Sequence, residues 1–226
     1  MPTVIVIGAS SGLGLEISNF LRSTGFKVIS ISRRSLDDPN HFSCDVSNFL
    51  SLKQVYSALL KNNEKIYGLI NCAGIASMNL ALTTPDSVTQ RILAVNLQGT
   101  IFSNQIFAPL LIRNGGGRII NFSTIAVHLG LAGESVYVAS KAGVEGFSRS
   151  FANEMAKFGI TVNCIAPGPI RTNLLKGISD HQIKIIVNRQ IIKKAMNPSD
   201  VSNLVNLLLS ESSENLTGQV LNLGGV

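Results

Sequence analysis

Tyr137 and Lys141 stand four residues apart in SVYVASKAG, and residues at i and i+4 share one face of a helix. A phenol and an ammonium held side by side have a chemical use. Free tyrosine is a poor acid near neutrality, with a pKa of about 10. A neighbouring cation favours the phenolate, so the spacing predicts a lowered pKa for Tyr137 and a phenol able to pass a proton to or from a substrate oxygen. Upstream, the apolar run of Ile119, Ile120 and Phe122 ends on two hydroxyl residues, Ser123 and Thr124. A Thr hydroxyl at that strand end can hold the same oxygen. The pattern Y-x-x-x-K alone occurs on many surface helices, and the chemistry it suggests needs a cofactor.

A cofactor loop is present near the start of the chain. Val4 to Ile7 is a short β-branched run, as expected of a strand covered on both faces. It leads directly into Gly8-Ala9-Ser10-Ser11-Gly12-Leu13-Gly14, and then into a helical pattern of Leu15, Ile17, Phe20 and Leu21. Strand, glycine loop and helix together present backbone N–H groups and a helix N-terminus to a phosphate. Gly8 permits the tight turn, while Gly12 and Gly14 allow close approach of backbone to ligand and of helix to strand. Ser10, Ser11 and Leu13 belong to the same cradle.

A second strand, Val28 to Ser32, ends on Arg33 and Arg34. An acid there would bind the adenosine ribose of NAD, whereas a basic residue pairs with a 2′-phosphate. Ser32 stands where the acid would be, which favours NADP(H) and leaves NAD(H) as the alternative. The two arginines can also simply decorate a turn. A third strand, Phe42 to Val46, ends with Asp45 and Val46 placed to meet the adenine. The fourth, Ile66 to Ile70, closes on Asn71-Cys72-Ala73-Gly74, where small residues leave room for a ligand. Asn96 falls inside an apolar helical stretch running to Leu111, a costly place for an amide without partners. After a strand from Ile160 to Ile165 comes Ala166-Pro167-Gly168-Pro169-Ile170-Arg171-Thr172, whose two prolines fix the path of a loop leaving the sheet. Leu174 to Met196 reads as a less clearly patterned helix and a mobile substrate lid. A last apolar strand runs from Gln219 to Leu223.

Strands and helices alternate through all 226 residues with no linker or repeat. The expectation is a single α/β domain over residues 1–226, a doubly wound, Rossmann-like parallel sheet of about seven strands with helices on both faces. Every motif falls at the C-terminal end of a strand, where such sheets bind ligands. Hydrophobic residues make up 45% and charged residues 14%, the latter below the usual share of roughly 25%. Such a chain can bury a large core and further surface in an oligomer. No apolar run reaches the length of a membrane span, and MPTVIVIGAS reads as a strand rather than a signal peptide. Cys44, Cys72 and Cys164 are scattered and flanked by apolar residues, which suggests free thiols in a reducing cytoplasm and no metal site. The net charge of +6 is spread too thinly for a nucleic-acid tract and suits attraction of an anionic cofactor.

Taken together, GASSGLG, CDV, NCAG, AVNLQG, RIINFST, YVASK, APGPIRT and LTGQVLNLGG resemble, in order and over essentially the full length, the short-chain dehydrogenase/reductase family in its single-domain branch. The resemblance implies that Tyr137 is the general acid in reduction and that Lys141 lowers its pKa and holds the nicotinamide ribose. It also implies a water-linked proton relay supported by Asn96, and a loop from Pro167 to Thr172 lying along the nicotinamide and pyrophosphate. The family's carbonyl-holding residue, usually Ser, falls 13 positions before the Tyr, at Thr124. Ser123 points to the opposite strand face, so Thr124 is the expected residue. Cys72 stands where the family more often has Asn.

Among subgroups the chain is most similar to 3-oxoacyl-(acyl-carrier-protein) reductases. Relatives acting on sugars or small ketones share the same segments, so the substrate implied is a small or carrier-bound carbonyl compound. A basic residue for carrier docking is replaced by Phe158, with Lys157 beside it. The family resemblance also implies a homodimer or homotetramer. A non-catalytic NADP(H) sensor or scaffold is the alternative from another class.

Overall fold

Thr3–Ile7, the first strand (β1), is a run of β-favouring residues with all five side chains buried, as a strand covered on both faces requires. The computed structural model describes residues 1–172 and 179–226. Further strands are β2 (Lys27–Ser32), β3 (His41–Ser43), β4 (Ile66–Asn71), β5 (Gly117–Phe122), β6 (Ile160–Ala166) and β7 (Val220–Asn222). Helices α1 (Gly12–Ser23), α2 (Phe49–Lys61), α3 (Asp86–Ile92), α4 (Gly99–Arg113), α5 (Ala126–Leu129), α6 (Ser135–Met155), α7 (Asp180–Asn188) and α8 (Pro198–Leu209) connect them. The strands form one 7-stranded sheet in the order β3-β2-β1-β4-β5-β6-β7, with every pairing parallel. The order reverses between β1 and β4, and that is where the crevice of a doubly wound sheet lies.

Alternate side chains of each strand enter opposite layers. Ile5, Ile7, Ile29 and Ile31 pack with Leu52 and Leu59 of α2, Phe107 and Leu111 of α4, and Phe151 of α6. Val4, Val6 and Val28 pack on the other side with Ile17 and Leu21 of α1 and Val201 and Val205 of α8. The sheet is therefore sandwiched, as its unbroken apolar strands anticipated.

Three local expectations are corrected. The third strand stops at Ser43, not Val46. Among the described residues its ladder is with β2, whose last residue Ser32 pairs with Ser43, so Asp45 and Val46 lie beyond it. Asn96 is not in an ordinary α-helix: Leu93–Gln98 forms a π-helical turn between α3 and α4, a local widening often found at functional sites. Within Leu174–Met196, residues 174–178 lie outside the described residues, and the helix covers only Asp180–Asn188. Beyond it the chain bonds to the C-terminal segment, through Ile191 N to Gly225 O at 3.3 Å and Ile192 N to Gly224 O at 2.8 Å, and to the loop after β6 through a bridge between Ile170 and Met196.

Buried amides lock the centre of the sheet to two helices. Asn121 Oδ1 on β5 accepts from Asn71 Nδ2 (2.7 Å) and Asn104 Nδ2 (3.1 Å), and Asn121 Nδ2 donates to Ser148 Oγ (2.8 Å). Ser103 Oγ donates to Asn71 Oδ1 at 2.6 Å. A buried polar group left without its partner costs about 1–3 kcal/mol. Asn121→Ala leaves Asn71 Nδ2 without a partner, while Asn104 Nδ2 keeps Thr100 O and Ser148 Oγ keeps Val144 O, so a loss of about 1–3 kcal/mol is expected. Urea unfolding measures it, and a change below about 1 kcal/mol would mean the network contributes little.

Candidate active site

The first β–α turn is shaped by close backbone approach. Gly8 has φ 86°, and a Cβ there would come within 2.7 Å of Ala73 N. A Cβ on Gly14 would collide with Gly8 O. Only glycine fits either position, so the loop lies flat against the end of β4. Ser11 caps α1 from an extended backbone, and its side chain makes no capping bond. Backbone N–H groups of Gly12, Leu13 and Gly14 are thereby left for a phosphate. This cradle fits a dinucleotide pyrophosphate.

Around it opens a cavity of about 780 Å³ at the C-terminal strand ends, within the usual range for a ligand site. Gly8, Ser10, Ser11, Gly12, Leu13 and Gly14 line its centre. Ser32, Arg33, Asp45 and Val46 form one end, and Ala73 and Gly74 lie under the middle. Pro167, Gly168, Ile170 and Thr172 cover it, with Thr172 against Gly12. Asp45 accepts from Ser47 N (2.9 Å) and Ser47 Oγ (2.7 Å). Burial pushes its carboxyl up, but those bonds and the charges of Arg33 and Arg91 outweigh burial and hold it below the usual range.

Two residues expected at the cofactor are not on the cavity wall. Arg34 is exposed, and its carbonyl accepts from Ser32 Oγ and His41 Nε2, each at 2.8 Å. The amide of Asn71 is engaged in the interior network.

Beside the middle of the cavity Thr124, Tyr137 and Lys141 line the wall, with Asn96 buried behind it. Thr124 and Tyr137 both line the cavity and share a side-chain hydrogen bond. Thr124 Oγ1 also accepts from Ala126 N at 3.2 Å. Ser123 also lines the cavity, but its Oγ donates to Glu145 Oε1 at 2.6 Å. Lys141 Nζ donates to Phe122 O at 2.8 Å. A Cβ on Gly74 would sit 3.5 Å from Lys141 Nζ and 3.6 Å from Asn96 Oδ1, so these groups converge on one small residue. Asn96 is fully buried. Its Oδ1 accepts from Ile75 N (2.8 Å) and its Nδ2 donates to Ile75 O (2.9 Å) and Ser140 Oγ (3.1 Å). These bonds answer the cost of burying an amide in a helix.

The electrostatics differ from the simple pairing of phenol and ammonium. Burial pushes the Tyr137 phenol up, the charge of Glu134 pushes it further, and the Thr124 hydrogen bond only partly opposes them. Within the chain itself the phenol is therefore a weaker acid than free tyrosine, contrary to the expected lowering. Lys141 is drawn down to about 8, first by burial, against the opposing pull of the Cys164 and Cys72 thiols. Glu134 was missed from sequence. It lies three residues before Tyr137, one helical turn away, and that spacing was the available signal. Among the described residues no cluster of three His, Cys, Asp or Glu side chains can hold a metal, and no helix is long and apolar enough to cross a membrane.

A phosphate-binding β–α turn and a Tyr–Lys pair at the same sheet edge define a dinucleotide-dependent oxidoreductase. Known proteins agree. The family profile described as enoyl-(acyl carrier protein) reductase matches residues 8–225. Carbonyl reductase family member 4 of Xenopus tropicalis is 34% identical over 97% of this chain and 95% of its own. A 3-oxoacyl-(acyl-carrier-protein) reductase of Rickettsia prowazekii is 33% identical over 99% and 95%. Ligand-free aldohexose dehydrogenase from Thermoplasma acidophilum superposes with a TM-score of 0.90 at 28% identity, covering 99% of this chain and 93% of its own. A variant actinorhodin polyketide ketoreductase with NADPH gives 0.87 at 25%, covering 98% and 95%. The chain belongs to the short-chain dehydrogenase/reductase family, and it is an enzyme acting on CH–OH or carbonyl groups.

Lys141 gives a pH signature. Its value falls from 10.5 to about 8, so between those limits the unfolded chain binds more protons than the folded one. Stability from this site therefore rises with pH across that window, and the cost of burying the ammonium is complete below it. Relative to Lys141→Met, the wild type is expected to gain roughly 3 kcal/mol on going from pH 8 to 10.5. Urea unfolding of both proteins checks this, since titrations common to the two cancel. A pH-independent difference would refute it.

Proposed function

We propose that the protein interconverts a ketone and a secondary alcohol, with NADP(H) as the preferred cofactor and NAD(H) as the weaker alternative. The observation that carries this reading is that Thr124, Tyr137 and Lys141 face the same cavity as the glycine turn. When bound, the nicotinamide supplies or accepts the hydride. Tyr137 donates the proton to the carbonyl oxygen in reduction, and Thr124 holds that oxygen in place. Lys141, charged below about pH 8, stabilises the phenolate left behind and is positioned to meet ribose hydroxyls. Asn96 holds the Ile75 backbone at the site and joins the proton path to Lys141.

Preference for the 2′-phosphate is supported by Arg33, which lines the cavity beside Ser32, with no acid at the end of β2. The substrate is a carbonyl compound, small or carrier-bound, in keeping with the names of the relatives. The protein works in the cytoplasm as a homodimer or homotetramer, measurable as its mass in solution.

Tyr137→Phe is expected to lower ketone-dependent NADPH oxidation by at least about a hundredfold, the ordinary contribution of a general acid, while Thr124→Ser retains activity. An unchanged rate in Tyr137→Phe would exclude the assigned acid. Tight NADPH binding without turnover of any ketone would favour a cofactor sensor instead. Arg33→Ala is expected to raise the KM for NADPH by about 10- to 100-fold, the worth of a charge-assisted bond, and to leave that for NADH little changed. Equal effects on both cofactors would remove Arg33 from phosphate recognition.

A further inference from the structure

Glu134 is the residue from which α6 starts, and only 9% of it is exposed. It reaches the same cavity as Tyr137, beside Leu131, Met78 and Ile186. Its place is fixed by backbone bonds. Asn79 N donates to Gly133 O at 3.0 Å, Glu134 N to Leu131 O at 3.3 Å, and Val138 N to Glu134 O at 2.7 Å. The carboxylate has no partner of its own: among the described residues it forms no ion pair and accepts no side-chain or backbone hydrogen bond. The cations on the cavity wall are committed elsewhere, Arg33 facing Asp45 and Lys141 held on Phe122 O.

A carboxylate buried beside apolar groups without a donor is costly. Glu134 lines the cavity together with Tyr137, and its charge is felt at the phenol, so the missing donor belongs to what enters there. An ionised carboxylate accepts from O–H or N–H and repels another anion. We infer that Glu134 is a specificity-determining residue: it takes a hydroxyl or amine donor on the substrate close to the reacting carbon and turns acidic substrates away. This deepens the proposed carbonyl reduction and rests on it for the identity of the reacting carbon. It favours hydroxylated ketones over keto acids of similar size.

The test compares 4-hydroxy-2-butanone, 2-butanone and acetoacetate with wild type, Glu134→Gln and Glu134→Leu, all loaded with NADP(H). Both kcat/KM and binding by ligand-observed NMR titration are measured. The wild type is expected to prefer the hydroxyketone to acetoacetate by at least about a hundredfold, the sum of a charge-assisted bond gained and a like-charge contact avoided. Glu134→Gln should reduce that ratio at least tenfold, mainly by improving acetoacetate, and Glu134→Leu should lower it further by weakening the hydroxyketone. Rates with 2-butanone report whether a variant is still folded and active. A ratio unchanged in both variants, or a wild type that binds acetoacetate as well as the hydroxyketone, overturns the inference. If no ketone is reduced while the NMR ratios shift as expected, the proposed reaction falls and the role of Glu134 in recognition stands.

Discussion

Lys141 Nζ bonded to Phe122 O at 2.8 Å joins the middle of the sheet to the helix that carries the acid. Phe122 is the last residue of β5, and Lys141 lies one turn beyond Tyr137 on α6. A buried ammonium needs a partner, because taking it from water without one is prohibitive. The Phe122 carbonyl is that partner, and accepting the bond fixes α6 in rotation as well as in distance. Tyr137 then faces Thr124, which follows Phe122 by two residues. The position of the hydroxyl pair is thus a consequence of where one ammonium can be buried.

The same burial sets the proton chemistry. Water excluded from the site weakens Tyr137 as an acid and Lys141 as a cation together. Reading Y-x-x-x-K as a cation lowering a phenol treats the pair as if it were on a surface, where desolvation is small. In this site desolvation is the larger effect on both groups, and Glu134 adds to it at Tyr137. A phenol kept protonated is suited to giving a proton to an alkoxide as charge develops there. The ammonium on the Phe122 carbonyl is then ready to stabilise the charge left on the tyrosine.

The sheet was legible because its strands are short, continuous and β-branched, and because the turns between them carry glycine where the backbone must crowd. Gly8 and Gly14 announce the phosphate cradle for that reason: the collision each avoids is with backbone, which no side-chain rearrangement relieves. Strand alternation favours Thr124 over Ser123, and in the structure the Ser123 hydroxyl is engaged by Glu145. What escaped depends on contacts between distant segments. Arg33 and Arg34 are indistinguishable as neighbours in sequence, yet Arg33 lines the cavity and Arg34 does not. Asn71 precedes the ligand-facing residues of β4 and so looks like one of them. Its amide turns inward because Asn121 and Ser103, 50 and 32 positions away, are there to receive it. The end of α7 could not be read at all, since its chain bonds to the residues before the C-terminus.

The buried amides explain how the polar groups of the crevice are held in place by an apolar sheet. Asn71 is the last residue of β4 and Asn121 the last but one of β5, just before the segments that form the site. Apolar packing alone would let those ends shift by a fraction of an ångström, since it is not directional. Hydrogen bonds between these two amides and both α4 and α6 are directional and leave little freedom. The π-helical turn at Leu93–Gln98 adds a third tie, placing Asn96 where both polar atoms of its amide bond the Ile75 backbone. Gly74, adjoining that backbone, leaves the space into which Lys141 reaches. The precision of the site therefore comes from polar contacts behind it, and the hydrophobic layers supply the stability that allows those contacts to be buried.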